Sequence, residues 1–308
     1  MPISLSAEEA ADELRARGYH PDNVVPLTGG LWSAAFAFRE NARELVVRFH
    51  ERRDDLEKDR FAARWAGRRL RTPRIIEIGD MPRGAYAISE RVRGVQLDDL
   101  DEAGMRAALP SLLATLDGLR QADLSGTERY GLWHADGRGE SATWHDALEH
   151  IANGVDRRAE QRELLVRSRI GAREFDAGVV RMRELLPFCP EERHLVHNDL
   201  LYHNVLVDES AVVLLDWGAS IFGDFLYDIA LLTFWWPWYR TWAGIDIRRT
   251  AERHYAEIGL SIPAFAERLR CYELDIGVSH IHFQASQARW DDAAWTARRT
   301  LELVNALR

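Results

Sequence analysis

The chain has 308 residues, and its 40 lysine and arginine residues face 49 aspartate and glutamate residues, for a net charge of −9. This length is enough for one large domain or two lobes with a substantial core. The acidic balance argues against nucleic acid as a partner, since a nucleic-acid-binding surface is basic.

The two cysteines, Cys189 and Cys271, are too few for a disulfide framework or a zinc site, which favours a reducing cytoplasm. The acidic start of the chain is not typical of a signal peptide, and no apolar run approaches the roughly 20 residues that cross a bilayer. We therefore expect a cytoplasmic protein without a membrane partner, acting as a monomer.

The first predicted elements are a helix and a glycine-rich turn. A serine–glutamate capping box near the start predicts a helix over residues 7–17. Gly29 and Gly30 then separate two predicted strands, where their N–H groups can approach phosphates and the hydroxyl of Ser33 can add a donor. An ordinary turn is the alternative.

A strand predicted at 45–49 carries Arg48, and a helix predicted at 55–70 carries Asp59. Arginine can bind phosphate bidentately, so Arg48 is a candidate phosphate ligand. Asp59 is placed to pair with Arg48. Lys58 is an alternative phosphate ligand, and surface positions for Arg48 and Asp59 are the simpler alternative.

Two further strands, at 74–78 and 85–90, complete a small, mostly antiparallel sheet that suits a nucleotide-binding lobe. The segment from Glu90 to Gly94 then connects this lobe to the rest of the chain. Its main-chain N–H and C=O groups can hold a purine ring. We therefore predict base binding at Glu90 and Val92, without a choice between ATP and GTP.

The remaining chain is predicted to be mainly helical from its apolar periodicity. The helices are predicted at 109–119, 144–151, 175–186, 229–236, 263–284 and 291–307. A glycine-rich stretch at 123–143 predicts a loop, and the aromatic run at 234–239 is either core or one wall of an acceptor cleft. We interpret Asp224 as a helix N-cap and Asp228 as a first-turn residue, both structural.

The stretch from His197 to Gly218 carries the chemistry. Asp199 and Asn204 are five residues apart on a predicted loop, and Asp216 follows a predicted hairpin of two apolar strands. Phosphoryl transfer needs one carboxylate to accept the proton of the attacking hydroxyl. It also needs a carboxamide and a second carboxylate to hold Mg²⁺ against the nucleotide phosphates. The hairpin should bring the three side chains together.

The pattern H-x-D-x-x-x-x-N followed by D-x-G resembles that of protein kinases, and the tryptophan inside D-x-G resembles the aminoglycoside phosphotransferase family. The stretches that resemble the hygromycin B branch of that family are 189–197, 222–224, 234–238 and 291–295. The resemblance implies an α+β, bilobal protein-kinase-like fold. A small β-rich nucleotide lobe would span 1–92, and a larger, mainly helical lobe would span 93–308.

The resemblance also implies ATP- and Mg²⁺-dependent phosphorylation of an antibiotic hydroxyl, which inactivates the antibiotic. The implied roles are catalytic base for Asp199, Mg²⁺ ligand for Asn204 and Asp216, loop support for His197, and phosphate contact for Gly30, Ser33 and Arg48. Arg48 stands where kinases have the lysine that binds the α- and β-phosphates, and kinases hold adenine through main-chain groups of the connector.

The acceptor side departs from the family. The four residues between Asp199 and Asn204 are bulky where smaller, polar ones are expected, and Trp236 stands where a basic residue is expected. A nucleoside-type antibiotic such as capuramycin is therefore an alternative to a hygromycin-B-like aminoglycoside. A metabolite kinase of the same fold and a nucleotide-binding pseudokinase are further alternatives. The candidate acceptor contacts are Trp133, His203, Trp236, Trp238, Asp275, His280 and Trp290.

Overall fold

The computed structural model describes residues 3–27, 32–208 and 211–306. The chain packs into two compact units that are interleaved in sequence. The first consists of Met1–Gly118, His134–Asp136 and Asp199–Ala219, and the second of Leu119–Trp133, Gly137–Asn198 and Ser220–Arg308. The lobe boundary expected between residues 92 and 93 stays a prediction, because no single break in the sequence separates these units.

The first unit is built on a five-stranded antiparallel sheet with the strand order β1-β2-β3-β5-β4. The strands are β1 (Asp22–Pro26), β2 (Ser33–Glu40), β3 (Arg43–His50), β4 (Ile75–Asp80) and β5 (Ala85–Glu90). Helix α1 (Ala7–Arg15) begins with the predicted capping box between Ser6 and Glu9. Its buried face, with Leu14, packs against alternate apolar side chains of β2 and β3 such as Phe38. The predicted helix and small sheet are confirmed.

Helix α2 (Arg53–Ala62) is shorter than the predicted helix at 55–70. A 3₁₀ turn follows at Ala63–Trp65, and Ala66 is then extended. The N–H of Gly67 donates to the carbonyl of Leu70 and closes a turn there. A glycine is unfavourable inside a helix by about 1 kcal/mol, so the helix ends before it.

A second small sheet of the first unit contains the predicted hairpin. Its strands are β6 (Val95–Gln96), β12 (Val205–Asp208) and β13 (Ala211–Leu214), in the order β13-β12-β6. Val205 pairs with Leu214 in antiparallel register. The hairpin therefore holds Asn204 and Asp216 close to its open end.

The second unit is mainly helical. The helices of the rest of the chain are α3 (Glu102–Arg120), α4 (Trp144–Leu148), α5 (Arg157–Arg167), α6 (Arg173–Leu185), α7 (Leu226–Trp235), α8 (Ile247–Glu257), α9 (Phe265–Ser286) and α10 (Trp290–Asn305). Helix α9 packs against α6, α7 and α10. All residues of α7 are buried, as expected of a helix that is apolar on every side. Within the described ranges, no helix combines the length and the apolar character that crossing a membrane requires.

Five of the six predicted helices are confirmed with ends within about three residues, and the helix predicted at 109–119 is also present but begins earlier, at Glu102. Helices α5 and α8 were not predicted. The loop predicted at 123–143 is wrong, because this stretch contains two strands. The strands of the second unit are β7 (Tyr130–Trp133), β8 (Gly139–Ser141), β9 (Ile151–Ala152), β10 (Val155–Asp156), β11 (His194–Val196) and β14 (Ile221–Gly223). A Cβ on Gly139 would lie 2.5 Å from the carbonyl oxygen of Tyr130, so here glycine permits close strand pairing.

Gly223 provides a test of packing in the second unit. A Cβ at this position would lie 2.4 Å from the ring of Trp144. We expect Gly223→Ala to lower the free energy of unfolding by about 1–3 kcal/mol, as overpacking does in well-packed cores. Urea unfolding of both proteins measures the change. Gly67→Ala, whose Cβ would meet no atom within 4 Å, is the control, and equal stability of the two variants would contradict the described packing.

Candidate active site

The loop after β11 presents the predicted carboxylate and carboxamide together. Nδ2 of Asn204 donates to Oδ2 of Asp199 at 2.7 Å. Tyr202 and His203 adopt left-handed backbone conformations, with φ values of 59° and 70°, and reverse the chain between the two polar residues. Asp98 accepts the N–H of Tyr202 at 2.7 Å. The predicted pairing of a carboxylate and an amide five residues apart is thus present in the structure.

Asp228 supports the residues immediately before Asp199. Its carboxylate accepts the N–H groups of His197 and Asn198 at 2.9 and 2.8 Å. The side chain is buried, which raises the pKa of Asp228 to about 7 against the effect of those two hydrogen bonds. Asp228 does lie in the first turn of α7, as predicted, but its carboxylate serves the loop rather than the helix.

Asp224 makes the predicted capping contact, because its Oδ1 accepts the N–H of Leu226 at 3.1 Å, although the boundary residue of α7 is Phe225, which has helical dihedral angles. The Asp224 carboxylate is fully buried and pairs with the guanidinium of Arg268. It also accepts the hydroxyl of Tyr272 and the N–H of Leu226. Asp224 is therefore a structural residue, as predicted, and it combines the capping contact with an interior ion pair.

A cavity of about 460 Å³ lies within the first unit. The predicted site residues that line it are Ser33, Arg48, Asp59, Glu90, Val92, Asn204 and Asp216. Gly29 and Gly30 lie outside the described residues. The sequence reasoning missed other lining residues, such as Gln96 and Thr72, because neither belongs to a recognisable motif.

Arg48 lies between two carboxylates in this cavity. Its Nη2 donates to Oδ2 of Asp59, as predicted, and its Nη1 lies 3.1 Å from Oδ2 of Asp216. Burial disfavours a charged guanidinium, but Asp216 and Asp59 outweigh it and raise the pKa of Arg48. Burial, opposed by Arg48, raises the pKa of Asp59 to about 6.

Helix α2 also contacts the D-x-G loop, residues 216–218. Oδ1 of Asp59 accepts the N–H of Trp217 at 2.9 Å, and Nζ of Lys58 donates to the carbonyl of Gly218 at 2.8 Å. Lys58 was considered as an alternative phosphate ligand, but its ammonium is directed to the protein backbone. Nothing in the local sequence indicated a contact between residues 160 positions apart.

The donor set fits Mg²⁺. Asp199 engages the amide nitrogen of Asn204, so the amide oxygen is available to a cation. Asp216 adds a carboxylate on the same cavity. Mg²⁺ sites in kinases commonly use one or two such oxygen ligands together with substrate phosphates and water. No group of three or more His, Cys, Asp or Glu side chains in the described ranges forms a separate metal site.

The candidate acceptor residues differ in their surroundings. Trp133 is fully buried and stacks on Phe222, and Asp275 is buried against Arg158 and Tyr227, so these two are core residues. The remaining candidates are partly exposed or exposed, namely His203, Trp236, Trp238, His280 and Trp290. Trp238 has 42% of its surface exposed and lies edge-on to Trp235 and Trp295 within the second unit.

Known proteins resemble this chain over most of its length. Residues 23–267 match the sequence model of the phosphotransferase enzyme family. Hygromycin-B 4-O-kinase of Escherichia coli is 32% identical over 290 residues, which is 92% of this chain and 81% of that protein.

Solved structures of phosphotransferases also resemble this chain over most of its length. A thermostable mutant of aminoglycoside phosphotransferase APH(4)-Ia, in ternary complex with AMP-PNP and hygromycin B, matches with a TM-score of 0.82 and 31% identity over 95% of this chain and 96% of that chain. A choline/ethanolamine kinase family protein of Mesorhizobium loti matches with a TM-score of 0.69 and 18% identity over 97% of this chain and 95% of that chain, which shows the fold alone.

These matches define a small-molecule kinase with a protein-kinase-like fold, which combines an antiparallel sheet unit with a mainly helical unit. The chain belongs to the phosphotransferase enzyme family. The family, the fold class and the class of enzyme predicted from the sequence are therefore confirmed.

The raised pKa of Asp228 leads us to expect that the stability of the fold depends on pH. Its pKa is about 7 in the folded protein against an ordinary value of 3.8. A carboxyl whose folded-state pKa is raised stabilises the fold below about pH 4 and loses that contribution as the pH rises through about 7. The loss amounts to about 4 kcal/mol. Asp228→Asn should lack it, so urea unfolding from pH 4 to 8 should give a variant-minus-wild-type difference that grows with pH.

The control for this comparison is Asp291→Asn. Asp291 is an exposed carboxylate in the first turn of α10, so its substitution makes the same chemical change without removing a buried carboxyl group. A constant difference between Asp228→Asn and the wild type across this range would contradict the raised pKa.

Proposed function

We propose that this protein is an ATP- and Mg²⁺-dependent phosphotransferase that phosphorylates a hydroxyl of a hygromycin-B-like aminoglycoside and so confers resistance. The observation that carries the proposal is the bonded pair of Asp199 and Asn204 next to a cavity lined by Asp216 and Arg48. A nucleotide-binding module without transfer would not need a carboxylate held beside the metal-binding amide, which makes a pseudokinase the weaker alternative.

Asp199 is the proposed catalytic base. Its carboxylate would accept the proton of the acceptor hydroxyl while that oxygen attacks the terminal phosphorus of the nucleotide. The hydrogen bond from Asn204 orients the carboxylate, and the buried Asp228 fixes the two peptide groups before it. Orientation of this kind lowers the barrier because the reacting groups need no further ordering.

Nucleotide binding is assigned to the cavity of the first unit. Arg48 would use its remaining N–H donors on the phosphates, Ser33 would add a hydroxyl, and the main chain of Glu90 and Val92 would contact the purine. The N–H of Glu90 already donates to the carbonyl of Arg74, which leaves its carbonyl and the groups of Val92 for the base. Gly29 and Gly30 are proposed to complete the phosphate loop.

Asn204 and Asp216 would hold Mg²⁺ through their side-chain oxygens. When bound, the ion would neutralise charge that develops on the phosphate oxygens. Asp216 already faces the positive charge of Arg48. The same carboxylate would therefore interact with both proposed phosphate-binding charges, Arg48 and the ion.

The proposed acceptor is based on two relatives. One is named as a hygromycin-B kinase, and the other is a solved complex that contains hygromycin B. A nucleoside-type antibiotic such as capuramycin is the second candidate, and the exposed ring of Trp238 in its aromatic cluster favours it. Flat aromatic faces stack well on nucleoside rings. A metabolite acceptor is the third candidate and has only the shared fold in its favour.

We further propose that the enzyme works as a monomer in the cytoplasm. The residues assigned to transfer and nucleotide binding all come from one chain, and ATP is available in that compartment. The nucleotide lobe and the acceptor lobe are proposed to divide near residue 92.

The substrate is tested by an acceptor panel. We expect Mg²⁺- and ATP-dependent ADP release with hygromycin B, and a product heavier by one phosphate in mass spectrometry. Other aminoglycosides and nucleoside antibiotics complete the panel, and omission of Mg²⁺ is the control. Turnover of a nucleoside antibiotic alone would replace the favoured acceptor, and nucleotide binding without turnover of any compound would contradict an antibiotic phosphotransferase.

The catalytic role of Asp199 is tested by Asp199→Asn. Because the amide cannot accept the acceptor proton, turnover should fall about 10²- to 10⁴-fold while nucleotide affinity changes little. Steady-state kinetics and calorimetry of AMP-PNP binding measure the two effects. Asp208→Asn, the same change at an exposed position of β12, should behave as the wild type. Normal turnover of Asp199→Asn would reject the assignment.

A further inference from the structure

Lys58 is the only lysine in the sequence, so the other 39 of the 40 basic residues are arginine. Basic residues on protein surfaces usually include both types, and a surface position accepts either with little change in stability. A single lysine in such an arginine-rich chain indicates a position where the shape of the side chain matters. The structure identifies what that position is.

The lysine side chain is buried, with 1% of its surface exposed. Its Nζ donates to the carbonyl oxygen of Gly218 at 2.8 Å. A hydrogen bond from an ammonium to a carbonyl is stronger than one between neutral groups, and burial adds to its strength. Burial also lowers the pKa of Lys58 to about 8, although Asp55 and Asp54 favour the charged form.

Lys58 acts within one face of α2. Asp55, Lys58 and Asp59 are spaced i, i+3 and i+4, which places them side by side on a helix. A Cβ on Gly218 would lie 3.4 Å from Cγ of Asp55, and Asp59 accepts the N–H of Trp217. Lys58 and Asp59 therefore contact two consecutive residues of the D-x-G loop, and Asp55 lies next to the second of them.

We propose that Lys58 is a positioning residue whose ammonium holds the carbonyl of Gly218 and thereby keeps the Asp216 carboxylate directed at the metal site. The proposal rests on the proposed function, since it takes Asp216 as a Mg²⁺ ligand. Groups that orient a metal ligand commonly change metal affinity about 10- to 100-fold when they are removed.

Arginine does not meet the same need. Its guanidinium is planar and carries five N–H donors in a fixed fork, whereas the ammonium is a compact charge that can direct one donor at one carbonyl. The neighbouring Arg48 shows the contrast, since its fork is shared between Asp59 and Asp216. The two cations thus contact different groups of the loop. Arg48 pairs with the carboxylate of Asp216, and Lys58 donates to the backbone carbonyl of Gly218.

The experiment compares the wild type with Lys58→Met, which keeps a long apolar stem and removes the charge. Two quantities are measured on the full chain. The first is hydrogen–deuterium exchange of the backbone around residues 212–220 without ligand. The second is the ratio of AMP-PNP affinities with and without Mg²⁺, obtained by calorimetry. Arg60→Met is the matched control, because Arg60 lies on the same helix with an exposed side chain and pairs with Glu57.

We expect faster exchange around residues 212–220 in Lys58→Met and an Mg²⁺-dependent gain in affinity reduced about tenfold or more. Affinity without Mg²⁺ should stay within about twofold, which a general loss of structure would not allow. Lys58→Arg should resemble Lys58→Met, and Arg60→Met should resemble the wild type. Wild-type exchange and a wild-type Mg²⁺ effect in Lys58→Met, or full function of Lys58→Arg, would overturn the proposal.

Two further outcomes also test the proposed role of Lys58. If Lys58→Met does not fold, Lys58→Leu replaces it, since leucine is also apolar and has no donor for the Gly218 carbonyl, and the same two readings apply. If the wild type itself shows no Mg²⁺ effect, the proposed function fails. In that case faster exchange in the Lys58 variants would still support the contact with the loop, and unchanged exchange would reject it.

Discussion

The ion pairs of the Arg48 guanidinium with Asp59 and Asp216 are the interaction on which the proposed nucleotide site depends. They join a strand, a helix and the D-x-G loop through charges that are mostly buried. Removing one partner from a buried ion pair leaves an uncompensated charge and is strongly destabilising, even where the complete set contributes little stability. The strand, the helix and the loop are therefore constrained to keep their relative positions. These positions determine the shape of the cavity beside them.

The backbone around this cavity is conformationally costly. Left-handed conformations occur at the non-glycine residues Asn198, Tyr202, His203 and Asp216. Such residues cost on the order of 1–3 kcal/mol each and persist where the surroundings determine them. Buried or partly buried carboxylates do so here, since Asp228 accepts the N–H of Asn198 and Asp98 accepts that of Tyr202. The contact between Asp199 and Asn204 therefore depends on backbone conformations that lower the stability of the fold.

The sequence predicts those parts of the site that are close in the chain. Asp199 and Asn204 lie on one loop, so their spacing alone indicated their contact. The hydrogen-bond partners of Asp228 and Lys58 were not predicted. They lie about 30 and 160 positions away in the chain, and local patterns carry no information on such distances. The strands within 123–143 were missed for a related reason. They are only three or four residues long, which is too short for alternation to show.

The single lysine has a practical consequence for chemistry on this protein. Reagents that acylate primary amines find one side chain in the sequence to react with, and in the folded state that amine is buried beneath α2. Acylation of Lys58 therefore requires the helix to separate from the loop, so its rate follows the frequency of that opening event. Digestion after a labelling pulse would isolate this one site, and the labelled fraction would report opening of the proposed nucleotide site without an introduced probe.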